Sequence, residues 1–179
     1  MPRFAALLRG INVGANKRVA MADLRRLLSE LGFTDVHTLL QSGNAVFENR
    51  RTKPEVLARR IEGAIRDELG LDVSCMVRSR EEMRAVIAAN PLGEVAADGS
   101  KLLVVFLSRS PDPDRLAEYD PVGLAPDRIR VGDRVIYQWC PDGILAAPAV
   151  GEFAEKHLSV STTGRNWNTV TKLGALLDE

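Results

Sequence analysis

The sequence predicts an α+β protein, and three kinds of signal point to it. Short apolar runs the length of strands alternate with stripes at helical spacing, and most junctions carry glycine, proline or a capping pattern. Apolar residues make up 45 % of the 179-residue chain and charged residues 27 %, a composition that supports a buried core.

Arg3 to Leu8 is apolar and followed by glycine, so it reads as a buried strand. A polar, glycine-containing loop from Arg9 to Arg18 leads into a helix marked by Leu24, Leu27, Leu28 and Leu31 and ended at Gly32. Val36 to Leu40 and Ala45 to Glu48 read as two strands joined through Ser42-Gly43-Asn44. Thr52 and Glu55 have capping-box spacing around Pro54 and open a helix that buries Leu57, Ile61, Ile65 and Leu69 before Gly70. Val73 to Val77 supplies a fourth strand. The order strand, helix, strand, strand, helix, strand is the ferredoxin-like βαββαβ arrangement, with expected strand order 4-1-3-2.

The second half is less regular and is expected to form a smaller α+β subdomain, giving subdomains at 1–78 and 79–179. Ser79 and Glu82 form another capping box, opening a helix that Asn90-Pro91 ends. Leu102 to Leu107 reads as a central strand, with a short helix around Leu116. Arg128 to Val131 and Arg134 to Cys140 read as a hairpin turning at Gly132-Asp133. Helices are expected near Phe153 and through Trp167, Val170, Leu173 and Leu177, the last preceded by the polar run Ser161 to Thr169. No internal sequence repeat is evident.

Several function classes are disfavoured. Acidic and basic residues balance at 24 each, so no net field draws polyanions or anionic membranes from a distance. No apolar run approaches the roughly 20 residues of a membrane span, and Met1 to Gly10, with Arg3 and Arg9, does not resemble a signal peptide. Cys75 and Cys140 match no metal or redox spacing, and His37 and His157 are too few and too separated for a metal motif. The expectation is a cytoplasmic protein without a cofactor or membrane partner.

Chemistry is expected where loops converge. In a split βαβ the first two strands run the same way, so the Arg9–Arg18 loop and the Gln41–Asn44 turn leave one end of the sheet about 10 Å apart. Arg9, Asn12, Lys17, Arg18, Gln41, Ser42 and Asn44 are therefore candidate ligand-binding residues. The loop is no Walker A motif, because only three residues separate Gly10 from Gly14 and Lys17 comes late. A strand-to-helix turn with free amides still favours an anion. The bland reading has the glycines turning the chain, Ser42-Gly43-Asn44 making a hairpin with Asn44 tolerating a left-handed backbone, and the basic residues solvated. Arg165, Asn166 and Asn168 extend the candidate set at the start of the final helix. There the alternative is a helix cap beside a buried Trp167 on the stripe with Val170 and Leu173.

Ala6-Leu7-Leu8-Arg9-Gly10-Ile11-Asn12-Val13-Gly14, Met21-Ala22-Asp23-Leu24, Gln41-Ser42-Gly43-Asn44 and Arg165-Asn166-Trp167-Asn168-Thr169-Val170 together resemble the bacterial domain-of-unknown-function family 1697. The resemblance implies an α+β fold with a ferredoxin-like part and assigns no reaction. It also implies a basic stretch ending in Lys-Leu after Pro-Asp-Gly, whereas Gly143 in this chain is followed by Ile144-Leu145-Ala146-Ala147-Pro148-Ala149. The leading functional expectation is a binding module for a small anionic ligand, a nucleotide or a short nucleic-acid segment, although the balanced net charge argues against the latter. An enzyme acting on a phosphorylated substrate and a ligand-free scaffold are the alternatives. No general base stands out for the enzyme.

Overall fold

The computed structural model of the chain describes residues 1–50 and 52–179. The first sheet is built from β1 (Arg3–Leu8), β2 (Thr34–Leu39), β3 (Asn44–Glu48) and β4 (Cys75–Ser79), with α1 (Met21–Glu30) and α2 (Pro54–Leu69) between them. Its strands are antiparallel in the order β2-β3-β1-β4, the order expected from the sequence. After α3 (Arg80–Ala88) comes a second sheet of β5 (Leu102–Leu107), β6 (Ile129–Gly132), β7 (Val135–Trp139) and β8 (Thr162–Asn166). There α4 (Pro113–Glu118) and α5 (Val150–His157) are interleaved, and α6 (Trp167–Leu177) follows β8. The chain forms two compact units, Met1–Met83 with Leu173–Glu179, and Arg84–Lys172.

In the first unit the pleat selects one face of the sheet for the helices. Phe4, Ala6 and Leu8 of β1, Ala45 and Phe47 of β3, and Cys75 and Val77 of β4 share a core with Leu24, Leu27 and Leu28 of α1 and Leu57, Ile61 and Ile65 of α2. Phe33 stacks on Phe47 with ring centroids 4.4 Å apart. Ala5, Leu7, Val46 and Met76 on the opposite face are buried too, which is why these strands read as unbroken apolar runs. Gly70 (φ 65°) ends α2 in the left-handed region.

The capping expectations divide. Ser79 and Glu82 form the full reciprocal box: Ser79 N donates to the Glu82 carboxylate at 2.9 Å and Glu82 N to the Ser79 hydroxyl at 3.1 Å. Thr52 and Glu55 do not, because the residue capping α2 is Lys53, which offers no side-chain acceptor. Pro54 at the first helical position, whose missing N–H needs no partner there, carries that helix start.

The second half departs further from expectation. It is not a smaller appendage: its sheet also has four strands, in the order β6-β7-β5-β8. That is the first sheet's topology again, β-α-β-β-α-β with the first strand third in line. The registers match as well. Arg3 to Leu7 face Glu48 to Asn44, and Leu102 to Phe106 face Trp139 to Val135. Leu8 pairs with Cys75, and Leu107 with Thr162. Even the bonds at the strand exits repeat: Leu8 N to Gly43 O and Arg9 N to Ser74 O are answered by Leu107 N to Arg134 O and Ser108 N to Ser161 O. No evident sequence similarity accompanies this repetition, so the amino-acid order alone does not disclose it.

Two local corrections follow. The run expected to precede the last helix is strand β8, paired with β5 from Thr162 to Asn166. The second hairpin turns at Asp133-Arg134 rather than Gly132-Asp133, with Arg134 at φ 53° and Gly132 inside β6. A Cβ on Gly132 would meet Val135 Cγ1 at 2.9 Å, so glycine is required there for space.

Tyr137 (1 % exposed) donates its hydroxyl to the Val86 carbonyl at 2.6 Å. That carbonyl lies in the last turn of α3, where Asn90 N bonds Ile87 O instead. Burial pushes the phenol up to about 12, above the roughly 10 of an unfolded tyrosine. Its stabilisation is therefore complete below about pH 10 and declines as pH rises toward 12. We expect Tyr137→Phe to cost about 1–3 kcal/mol at neutral pH. The difference from wild type should shrink across that alkaline window, measured by urea unfolding at a series of pH values.

Candidate functional site

Among the described residues, the connection from β1 to α1 holds more positive-φ residues than any other connection of the first unit. Between Ile11 and Val19, both buried, the loop closes on itself through Asn12 N to Lys17 O at 3.0 Å. Gly10, Asn12, Gly14 and Lys17 all take positive φ, at 70°, 54°, 63° and 49°. Glycine does so freely and asparagine with tolerance; Lys17 needs outside support. Its ammonium supplies some, donating to the Asp72 carbonyl at 2.8 Å.

Asn12 organises the rest. Its Oδ1 accepts from Val19 N at 2.9 Å, and its Nδ2 donates to Val19 O at 2.8 Å and to Gln41 O at 2.7 Å. The first two bonds zip the loop's base; the third ties it to the β2–β3 turn. The two loops thus meet directly, closer than strand spacing alone predicted. Both amide donors of Asn12 are engaged within the fold, so it positions the loop.

The turn, Leu40 to Gly43, is equally constrained. Leu40 and Gly43 have φ 60° and 94°, and a Cβ on Gly43 would lie 2.8 Å from both Leu8 Cβ and Ile11 Cδ1. Asn44 is wholly buried and belongs to β3, outside the left-handed region where it was expected. Its Nδ2 donates to Leu39 O at 2.9 Å and to the Ser42 hydroxyl at 3.0 Å. Asn44 and Ser42 therefore brace the hairpin from inside.

What remains outward is cationic and partly apolar. Arg9, Lys17 and Arg18 are exposed, and no acidic residue lies between Arg9 and Arg18. Among the described residues, the Arg18 and Gln41 side chains make no hydrogen bond or ion pair. Val13 (69 % exposed) and Leu40 (52 %) flank the Asn12–Gln41 bridge.

Arg165, Asn166 and Asn168 stand on the other unit as a separate motif. Asn166 Oδ1 accepts from Thr169 N at 2.9 Å, capping α6 as the Ser79 hydroxyl caps α3 from the matching place in the first repeat. Arg165 Nη1 donates to the Gly164 carbonyl at 2.8 Å. Asn168 is exposed and packs against Gly99, where any Cβ would collide with its Oδ1. Trp167 is only half-buried, with Thr169, Val170, Leu173 and Leu177 forming the buried face of α6. The indole opens the helix at its first residue, beside Gly99. Within the Gly143–Ala149 stretch, Ile144–Ala146 form a 3-10 turn with Leu145 fully exposed.

Removing the Asn12 side chain opens three hydrogen bonds at once. Asn12→Ala should lower stability by about 2–3 kcal/mol, given roughly 1 kcal/mol net per bond. Hydrogen exchange should locate the effect, with the Val19 amide losing protection while amides of β1 in mid-strand keep theirs.

No helix is long and apolar enough to cross a membrane among the described residues, and none of their His, Cys, Asp and Glu side chains form a group of three or more arranged to hold a metal ion. No curated protein matches the chain. A solved structure, that of the conserved bacterial protein SP0830 from Streptococcus pneumoniae, is similar over 98 % of both chains with a TM-score of 0.68. At 22 % identity that likeness shows a shared fold alone. The model of a protein family of unknown function, DUF1697, matches residues 1–137. The match spans the strained cationic loop, the Gln41–Asn44 turn and most of both sheets, and on it the chain belongs to the DUF1697 family.

Proposed function

We propose that the Arg9–Arg18 loop and the Gln41 turn bind a small phosphate-bearing ligand, with a nucleotide as the best fit. The observation that carries this reading is the contrast between the two repeats. In the second, β5 reaches α4 through the five residues Ser108 to Asp112, none with positive φ. In the first, the same connection takes twelve residues, Arg9 to Ala20, four of them left-handed. Closing this topology does not require the longer path, and strain of this kind persists where the surroundings hold it for a purpose. The ferredoxin-like character of the first sheet supplies the frame for such loops.

In this reading Arg9 and Arg18 provide charge-assisted hydrogen bonds and Gln41 a neutral donor and acceptor. Asn12, Ser42 and Asn44 hold these groups in place, and Lys17 adds charge while anchored on Asp72. The N-cap of α1 is Ala20, which makes no side-chain cap bond, and Asp23 is the one carboxylate of the first turn, so a ligand anion there would share the helix end with it. Val13 and Leu40 give an apolar surface suited to a nucleobase. Arg165 and Asn168 belong to the other unit and form a candidate pair of their own. An enzymatic reading would use the same donors to stabilise transition-state charge, and no observation favours it over binding.

The test is thermal unfolding of wild type and of Arg9→Ala/Arg18→Ala with ATP, GTP and inorganic triphosphate at low and high salt. Wild type should be stabilised by nucleotide, less so at high salt. The double variant should match the unliganded wild type within about 1 kcal/mol, as exposed substitutions do, and show no ligand shift. Val13→Ser/Leu40→Ser should reduce the nucleotide shift and leave the triphosphate shift intact. A wild type that responds to none of the three ligands overturns the proposal, as does an undiminished shift in the arginine variant.

A further inference from the structure

The second unit holds a cavity of about 340 Å³ lined by Arg109, Ser110, Asp112, Arg115, Leu158 and Ser159. It lies between the β5–α4 connection and the segment entering β8. The corresponding place in the first unit lies between the β1–α1 loop and the segment entering β4. Ser74 and Ser161 are the matching acceptors for the exits of β1 and β5, and two residues before them stand Asp72 and Ser159. Each of these two carbonyls accepts a hydrogen bond from a cation of the first connection: Lys17 Nζ on Asp72 at 2.8 Å, and Arg109 Nη2 on Ser159 at 2.5 Å. Two sequences without evident similarity hold a basic side chain on the equivalent backbone carbonyl.

The second site differs in its walls. Arg115 Nη1 donates to the His157 carbonyl at 3.2 Å, which places a second guanidinium on the same rim. Each guanidinium has five N–H donors, and the Ser159 and His157 carbonyls each engage one nitrogen of their arginine. Asp112 is held as the cap of α4 through Asp114 N at 2.9 Å. Two arginines against one carboxylate leave this rim with an excess of positive charge. Ser110 adds a hydroxyl, and buried Leu158 an apolar floor. Planar forks beside a hydroxyl match the oxygens of a phosphate group better than a lone ammonium would.

We propose that Arg109, Arg115 and Ser110 form a second anion site, specific for a compact phosphate or diphosphate group and independent of the Arg9–Arg18 loop. It does not rest on the ligand-binding reading of that loop, since the two share no residue.

The experiment is a titration of the full-length ¹⁵N-labelled protein with inorganic pyrophosphate at low ionic strength, following backbone amides. In wild type, amides of Arg109 to Asp112, Leu158 and Ser159 should shift saturably. They should shift in the same way in Arg9→Ala/Arg18→Ala, which separates this site from the first loop. Arg115→Gln should retain the folded spectrum and bind about tenfold more weakly or worse, the loss expected for one charge-assisted bond. Wild-type amides at these positions that do not move, or move linearly without saturation, overturn the proposal whatever the variants do. An unchanged affinity in Arg115→Gln overturns it as well. If Arg115→Gln does not fold, Ser110→Ala replaces it and should bind several-fold more weakly; unchanged affinity there is equally adverse.

Discussion

The register of the two central strands constrains everything else in the molecule. β1 and β5 are each hydrogen-bonded on both edges and buried on both faces. A slip of one residue would exchange the side chains facing the helices for those facing away. Both strands are locked where they leave the sheet, Leu8 and Arg9 on Gly43 and Ser74, Leu107 and Ser108 on Arg134 and Ser161. Those exits launch the two β–α connections, so the register also decides where Arg9 and Arg109 begin. The polar ends of the sheets inherit their geometry from the apolar middles.

On that frame, stability and binding capacity are divided among neighbouring residues. In the first unit, buried or half-buried groups do the holding: Asn12 zips its loop, Asn44 braces the hairpin, and Gly43 leaves room for Leu8 and Ile11. The Arg18 and Gln41 side chains contribute little to the fold and stay outward. A ligand meeting this surface would find the loop already in shape, so little ordering entropy would be lost on binding. The loop's four positive-φ residues are the conformational cost of that preorganisation, offset in part by the bonds that Asn12 makes.

The two repeats also show how one topology tolerates different chemistry at equivalent points. Ser79 with Glu82 and Asn166 with Thr169 start helices directly from the ends of matching strands, one by a reciprocal box and the other by a single asparagine cap. Lys17 and Arg109 reach equivalent carbonyls, one from a long loop with four positive-φ residues and the other from a short one with none. Backbone hydrogen bonding sets the requirement at each point, and side chains of different kinds meet it.

The elements of the first unit were legible in the sequence because each boundary has its own local cause. Leu24, Leu27 and Leu28 mark α1 by spacing, Gly70 must end α2, and Ser79 with Glu82 must open α3, whatever surrounds them. The convergence of the Arg9–Arg18 loop and the Gln41 turn followed from topology. The sequence did not determine which polar residues there hold the fold and which face outward: Asn12 and Arg18 look alike as loop residues until Gln41 O and Val19 lie within reach. Nor did it reveal β8, whose Thr162-Thr163-Gly164-Arg165-Asn166 reads as a cap region and becomes a strand only because β5 offers it an edge. Strand propensity is settled by the partner more than by the segment. The repetition of the fold was hidden for the same reason, since it resides in backbone pairing between residues far apart in the chain, where the identity of the side chains is nearly free.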